Sequence, residues 1–263
     1  MSFQQSIYKK KRRYVRDKGR VAPTIEENPD FAYFLGVIVG DASIYDGRIS
    51  LTAKDREFRD KFAEIGRNIV AKEPQCYEHR SKGKSYTEIR FYSPTFVRQL
   101  QLWLGLNEAT LGNILGARTH NPNPRAFTKI FDFIQLSRKN AKAFIAGFYD
   151  SEGTLYYQKC KLIVESDGAY AHYLGMIEIY NSNRELLECI QALLSSFFKI
   201  ESSLRLKHPK GFVQFSAQKI LTEYSKDHWH LRIRKQASVK EFAHSIHSSI
   251  PRKNLKLETS FQN

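Results

Sequence analysis

The chain is short of the residues that would place it in several common classes. It has only three cysteines (Cys76, Cys160, Cys189), none in a C-x-x-C spacing. No disulfide framework or zinc site follows from them, and a reducing compartment is expected. No apolar run approaches the ~20 residues that a helix needs to cross a bilayer. The N-terminus lacks the apolar core of a secretory signal, so a cytoplasmic (nucleoid) or organellar protein is expected, not a secreted one. Acidic residues are also scarce, 27 against 42 Lys and Arg, which leaves a net charge of +15 and a pI near 9.7. That bias speaks to partners rather than fold, and the natural partner is a polyanion. With 263 residues, 41% hydrophobic and 13% aromatic, the chain can bury a substantial core as one large domain or two of ordinary size.

What is present is an internal repeat, the feature to look for first. Phe34–Ala42 (FLGVIVGDA) and Ile145–Gly153 (IAGFYDSEG) run in step when Gly36 is set over Gly147. Gly40 then meets Ser151, Asp41 meets Glu152 and Ala42 meets Gly153. Each copy reads as an apolar helix that ends in a carboxylate and a small residue, followed by a β-prone segment. Gly36 and Gly40 lie on one helix face, as do Gly147 and Ser151. Glycine inside a helix costs about 1 kcal/mol against alanine, so two in one short helix need a reason. Close approach of two backbones is such a reason. The helices are therefore expected to pack together, which sets Asp41 beside Glu152. Acids fit poorly at helix C-termini, where the macrodipole is negative. Two of them together repel unless one is protonated or a cation lies between. A divalent metal is the economical answer. Two incidental surface acids on core helices is the plainer reading, and the match between the copies argues against it.

These residues resemble the LAGLIDADG homing endonucleases, named for this nine-residue motif. Leu35, Gly36, Val37, Ile38, Gly40 and Asp41 fit the first copy; Ile145, Ala146, Gly147, Phe148, Tyr149, Asp150, Glu152 and Gly153 fit the second. The resemblance spans about Asn28 to Ser249. It implies an α+β fold of two pseudo-symmetric αββαββα halves, with the motif helices at their interface and antiparallel sheets forming a DNA-binding saddle. It also implies that Asp41 and Glu152 bind catalytic Mg²⁺, with Mn²⁺ able to substitute, and that carbonyls at Gly40 and Ser151 complete the coordination. Asp150, also in the motif, is expected to cap or pair structurally.

In order along the chain, residues 1–27 form a basic arm that can neutralise phosphates, with a targeting signal or a solvated tail as the alternative. The first half is expected over 28–104, a linker over 105–136 with a short helix near Glu108–Leu115, the second half over 137–250, and a basic tail over 251–263. Asn28-Pro-Asp30 and Ser137 should start the motif helices. Hairpins are predicted at Ser43–Thr52 and Cys76–Tyr92, and strands at Thr154–Val164, Tyr173–Tyr180, Ser202–His208, Phe212–Ser216 and Trp229–Arg234. Helices are expected over Lys54–Ala71, Pro94–Leu104, Asn183–Phe198 and Val239–His247.

Strand alternation then divides the residues by face. If Leu204, Leu206, Leu231 and Ile233 point to the core, Arg205, Lys207, His230, Arg232 and Arg234 share the other face. Arg48, Ser50, Arg80, Lys82, Lys84, Tyr86 and Arg90 do so in the first half, with Gln158 and Lys235 added in the second. Such a face can read base edges while lysines hold phosphates; an ordinary solvated sheet is the alternative for any one of these residues. The family usually carries a lysine, often after a glutamine, at the start of the helix that follows each first hairpin. Lys54 fits that place, although Ala53 precedes it. Asn181 and Ser182 stand at the equivalent second-half positions, so that lysine is missing and Lys235 is a weak substitute.

The expected function is site-specific, Mg²⁺-dependent cleavage of double-stranded DNA at a long, pseudo-palindromic site, by a monomer without membrane contact. Asp41, Glu152, Lys54 and Asn181 are its candidate catalytic residues. An intron-encoded RNA maturase, with host intron RNA as partner, or a DNA-binding regulator on the same fold are the alternatives. Loss of one or both acids would favour the regulator.

Overall fold

The structure is a computed structural model that describes residues 28–81, 84–106, 124–165, 168–215 and 221–254. The basic arm, the short helix expected near Glu108–Leu115 and the side chain of Lys82 lie outside these residues.

The first half runs α1 (Pro29–Gly40), β1 (Ser43–Tyr45), β2 (Arg48–Ala53), α2 (Arg56–Val70), β3 (Gln75–Ser81), β4 (Lys84–Tyr92) and α3 (Pro94–Leu104). After α4 (Pro124–Gln135), the second half runs α5 (Arg138–Glu152), β5 (Gly153–Glu165), β6 (Gly168–Asn181), α6 (Arg184–Phe198), β7 (Ser203–His208), β8 (Val213–Phe215), β9 (Leu221–Glu223), β10 (His228–Ile233) and α7 (Gln236–Ser245). Each half is thus αββαββα, and the second carries an extra β8–β9 hairpin. Two antiparallel four-stranded sheets result, ordered β1-β2-β4-β3 and β5-β6-β10-β7.

The helix starts follow from local chemistry. Asn28 Oδ1 accepts from Phe31 N at 2.9 Å, and Ser137 Oγ accepts from Asn140 N at 3.1 Å, so each motif helix begins on a side-chain cap. The two starts are also tied together. The Asn140 side chain, fully buried, accepts from Asn28 N at 3.1 Å and donates to Phe133 O at 3.1 Å. One amide therefore joins α1, α4 and α5.

The core lies between the helices and one face of each sheet. Phe58, Phe62 and Ile65 of α2 point inward as the helical period predicts, and so do Ile49, Leu51, Ile89 and Phe91 of the first sheet. Phe34 stacks on Phe62 at 5.2 Å, which fixes α1 over α2.

Three details differ from the sequence expectation. The stretch read as linker contains α4, whose Ala126, Ile130, Phe133 and Ile134 are buried; the Pro-rich run before it masks an amphipathic period. The helix expected over Val239–His247 begins earlier, as α7 at Gln236, because Gln and Ala extend it without apolar markers. Leu206, expected in the core, is 43% exposed. β7 is the edge strand of its sheet, and its register with β10 shifts at His228/Trp229, leaving Lys207 as an extra residue beside Leu206.

Candidate active site and nucleic-acid interface

The motif helices meet backbone to backbone. A Cβ added to Gly36 would lie 2.3 Å from Phe144 O, and one added to Gly147 would lie 2.3 Å from Tyr33 O. At Gly40 it would meet Ser151 Cβ at 2.5 Å and Glu152 Cγ at 3.4 Å. The glycines are the reason that the two helices can touch. Ser151 turns its hydroxyl back to Gly147 O at 3.1 Å, so its Oγ is spent within its own helix.

This contact brings the two acids to one place. Asp41 follows α1 as its C-cap residue and is exposed, while Glu152 ends α5 and is partly covered. Burial first, and then the charge of Asp41, push the Glu152 carboxyl up to about 8. The Asn181 amide and the Lys253 ammonium pull the other way. Asn181 Nδ2 donates to Glu152 Oε1 at 3.3 Å, and its own Oδ1 accepts from Asn183 N at 2.8 Å. Asn181 is thus a fixed arm at the end of β6 that orients Glu152. Lys54, the first-half lysine, is exposed just before α2, with Nζ 5.3 Å from the centre of the Tyr86 ring.

Asp150 is buried and faces away from the acid pair. Tyr33 Oη donates to its Oδ2 at 2.8 Å, Ser249 N donates to Oδ2 at 3.0 Å, and the Ser248 and Ser249 hydroxyls complete its shell. Burial, then the Asp150 charge, hold the Tyr33 phenol protonated far above its usual range. The structural role expected for Asp150 is the arrangement found.

Sequence reasoning missed Lys253. It stands in a helical turn at 251–254, within the stretch read as a basic tail. Its Nζ donates to Tyr149 O at 2.9 Å, Asp150 O at 2.9 Å and Gly153 O at 2.8 Å. Nothing in the run Pro251-Arg-Lys-Asn singles out one basic residue as buried, so the sequence holds no signal for it. Lys235, the weak substitute for a second-half lysine, instead pairs with Glu201.

The outer sheet faces carry the expected basic residues, with one exception. Arg80, Arg205, Lys207 and Arg234 are exposed, and Arg48, Ser50, Tyr86 and Arg90 are partly so. The side chains of Lys84 and Gln158 lie outside the described residues. His230, expected on the exposed face, is buried at 4% exposure beside Glu178 and Tyr180. Burial, then the neighbouring Arg232, push its imidazole down to about 4, so it is neutral at pH 7. Its Nδ1 lies 3.9 Å from Oε1 of Glu178, itself at 3% exposure, with no hydrogen bond between them.

Each half anchors one arginine of this face on a buried acid. Arg90 makes bonds of 3.0 and 2.7 Å to Glu88 on its own strand, and His79 adds another at 2.9 Å. Arg232 Nε approaches Glu178 Oε1 at 2.5 Å from the next strand, out of line for a hydrogen bond. In register, Ser50 opposes Arg90 as Glu178 opposes Arg232. The arginines correspond between halves, and the acids do not.

The geometry defines a class: two αββαββα halves joined by a pair of glycine-faced helices, with an acid at the end of each helix. Comparison with known proteins agrees. Residues 139–247 match the model of the LAGLIDADG-like domain, and the two-half α+β fold is similar over both halves to that of solved homing-endonuclease structures. The solved structure of the homing endonuclease I-DmoI with DNA and Ca is 18% identical, with a TM-score of 0.50 over 88% of this chain and 97% of that one. Mesophilic variants of I-DmoI give the same values. An uncharacterized protein, MJ0398 of Methanocaldococcus jannaschii, is 24% identical over 245 residues, 89% of this chain and 72% of that protein.

Proposed function

We propose that the protein is a site-specific, double-strand DNA endonuclease of the homing type, acting as a monomer because one chain carries both acids. The observation that carries the reading is the glycine-to-backbone contact of α1 and α5, which sets Asp41 and Glu152 together at one point. Helices that only stabilised a core would have no need to bring like charges together at their negative poles.

Among the described residues, no group of three or more His, Cys, Asp or Glu could hold a metal ion. A donor set of two acids with helix-end carbonyls at Gly40 and Ser151 fits Mg²⁺, which keeps much of its water and binds through few carboxylates plus substrate phosphate. A dication between the two acids would offset their mutual repulsion. Bound there, the ion would supply an activated water and charge relief at the leaving oxygen. The chain's own residues do the rest. Asn181 orients Glu152, Lys54 stands at the first-half flank, and Arg90 and Arg232, held by buried acids, meet the major groove as preset donors. The net charge of +15 draws in the backbone phosphates.

The test is selection of cleaved duplexes from a randomised DNA library with Mg²⁺ present. A recovered long site, cut on both strands, is the expected outcome. If no duplex is cut at any divalent cation tried, the nuclease reading fails.

A further inference from the structure

Asp41 and Glu152 repel, and both stand at helix ends whose carbonyl dipoles are also negative. Asn181 offers Glu152 an amide, which carries no charge. Within the second-half segment where the motif pattern would supply a cation, Asn181 and Ser182 supply none.

A third element reaches the site from outside both repeats. Residues 248–254 leave α7 and cross beneath the end of α5. Ser248 and Ser249 bind Asp150, and Ser248 N and O are both held by the Asn254 amide, Ser248 N donating at 2.8 Å. Arg252 reaches the first half, where its Nε donates to Asp55 Oδ1 at 2.6 Å. Asp55 is the N-cap residue of α2 and neighbours Lys54. Tethered at both ends, this strap delivers Lys253 to three carbonyls around the last turn of α5, over the Tyr149 ring at 4.9 Å.

We infer that Lys253 is the resident counter-cation of the Asp41–Glu152 pair: a positioning residue that caps α5 and keeps the two acids assembled before metal and DNA arrive. The inference rests on reading those acids as a working pair. Three carbonyls converging on one ammonium is a cation site built from backbone, and the occupant is part of the chain. The charges also feel one another. Asp150 first, then Asp55 and Asp41, favour the charged ammonium, and Lys253 in turn lowers the Glu152 carboxyl. Burial opposes them and brings Lys253 down to about 8, so it remains largely protonated at neutral pH. Lys54 and Lys253 then attend the site from its two sides, the first from the repeat and the second from the strap.

The test is a thermal-melting cycle on the full chain, in EDTA and again in 10 mM Mg²⁺, with parent, Lys253→Met, Lys253→Gln, Lys253→Arg and Asp41→Asn, alone and combined. Lys253→Met should melt lower in EDTA by about 5 °C, several times the shift expected of an ordinary surface change. Asp41→Asn in the same chain should recover at least about half of that loss, and Mg²⁺ should raise Lys253→Met more than the parent. Lys253→Gln, which keeps a donor without the charge, should resemble Lys253→Met; Lys253→Arg should resemble the parent. If Lys253→Met is too unstable to melt cooperatively, Lys253→Gln replaces it in the cycle.

A loss that neither Asp41→Asn nor Mg²⁺ relieves would make Lys253 a helix cap and nothing more, which overturns the inference. So would Lys253→Gln melting like the parent. None of these readouts uses DNA or cleavage, so the result stands apart from the library selection that tests the nuclease.

Discussion

The two halves share a scaffold and differ in how each is equipped. Both begin on a side-chain cap, both present a glycine to the partner backbone, and both end in an acid. Beyond that they diverge. Asp41 is exposed, with a lysine at the start of the next helix; Glu152 is covered, with an asparagine there and a lysine brought by the strap. The second half carries an added hairpin, and its anchoring acid sits on a different strand from its arginine. The difference teaches that contact between the helices tolerates almost no change, because backbone meets backbone. The charges around that contact can come from any segment that reaches it.

The sharpest way to break the comparison is to remove one acid at a time. Asp41→Asn and Glu152→Gln should each lower double-strand cutting more than about a hundredfold, since even outer-shell changes at metal sites cost 10–100-fold. Binding to the selected duplex should remain. Full cutting by either variant, measured in single turnover, would remove the catalytic assignment.

The anchored arginines come next. Arg232→Met leaves Glu178 buried with its main cationic partner gone and should cost about 3 kcal/mol in urea unfolding. Arg90→Met should cost less, because Glu88 is less covered and retains His79. Equal losses would mean that the halves are anchored alike.

The helix contact should respond on a smaller scale of stability but with a second effect. Gly147→Val places a branched side chain where even a Cβ would lie 2.3 Å from Tyr33 O. Overpacking of this kind typically costs about 1–3 kcal/mol. It also spreads the acids, and a misplacement of about 1 Å can cost a hundredfold in rate. Melting temperature and single-turnover cleavage should both fall, the second by more than lost folding explains. Lys142→Val, on the exposed face of α5, should change neither.

The mildest change should be deletion of residues 1–20, with no effect on stability. The slope of log affinity against log salt should become shallower by about 0.9 for each phosphate that the shortened chain no longer neutralises. The preferred sequence should not change. An unaltered slope would show that the arm leaves DNA alone.

Much of this was legible because repeats and periods are local signals. Gly36, Gly147, Asp41 and Glu152 share a spacing that can be read by eye, and α3 was delimited from Pro94 to Leu104 by a proline, a period and a glycine. What was not legible depends on tertiary neighbours. His230 alternates with Leu231 as an exposed residue should, yet it is buried beside Glu178 and Tyr180 of the next strand. Leu206 has the right parity, but it lies on an edge strand next to a bulge at Lys207. Lys253 reads like any lysine in a basic run until Asp150 and Asp55 are seen to hold both sides of its turn.

One consequence of the strap concerns folding order. The bond from Asn28 to Asn140 closes a span of 112 residues, and that from Arg252 to Asp55 closes one of 197. Contacts so distant in sequence are slow to form, because loop-closure entropy must be met before they return anything. During synthesis both motif helices and both sheets leave the ribosome before residues 248–254 do. The acids can therefore be brought face to face while their counter-cation is still unmade, and the strap is the step that converts two docked halves into a settled site.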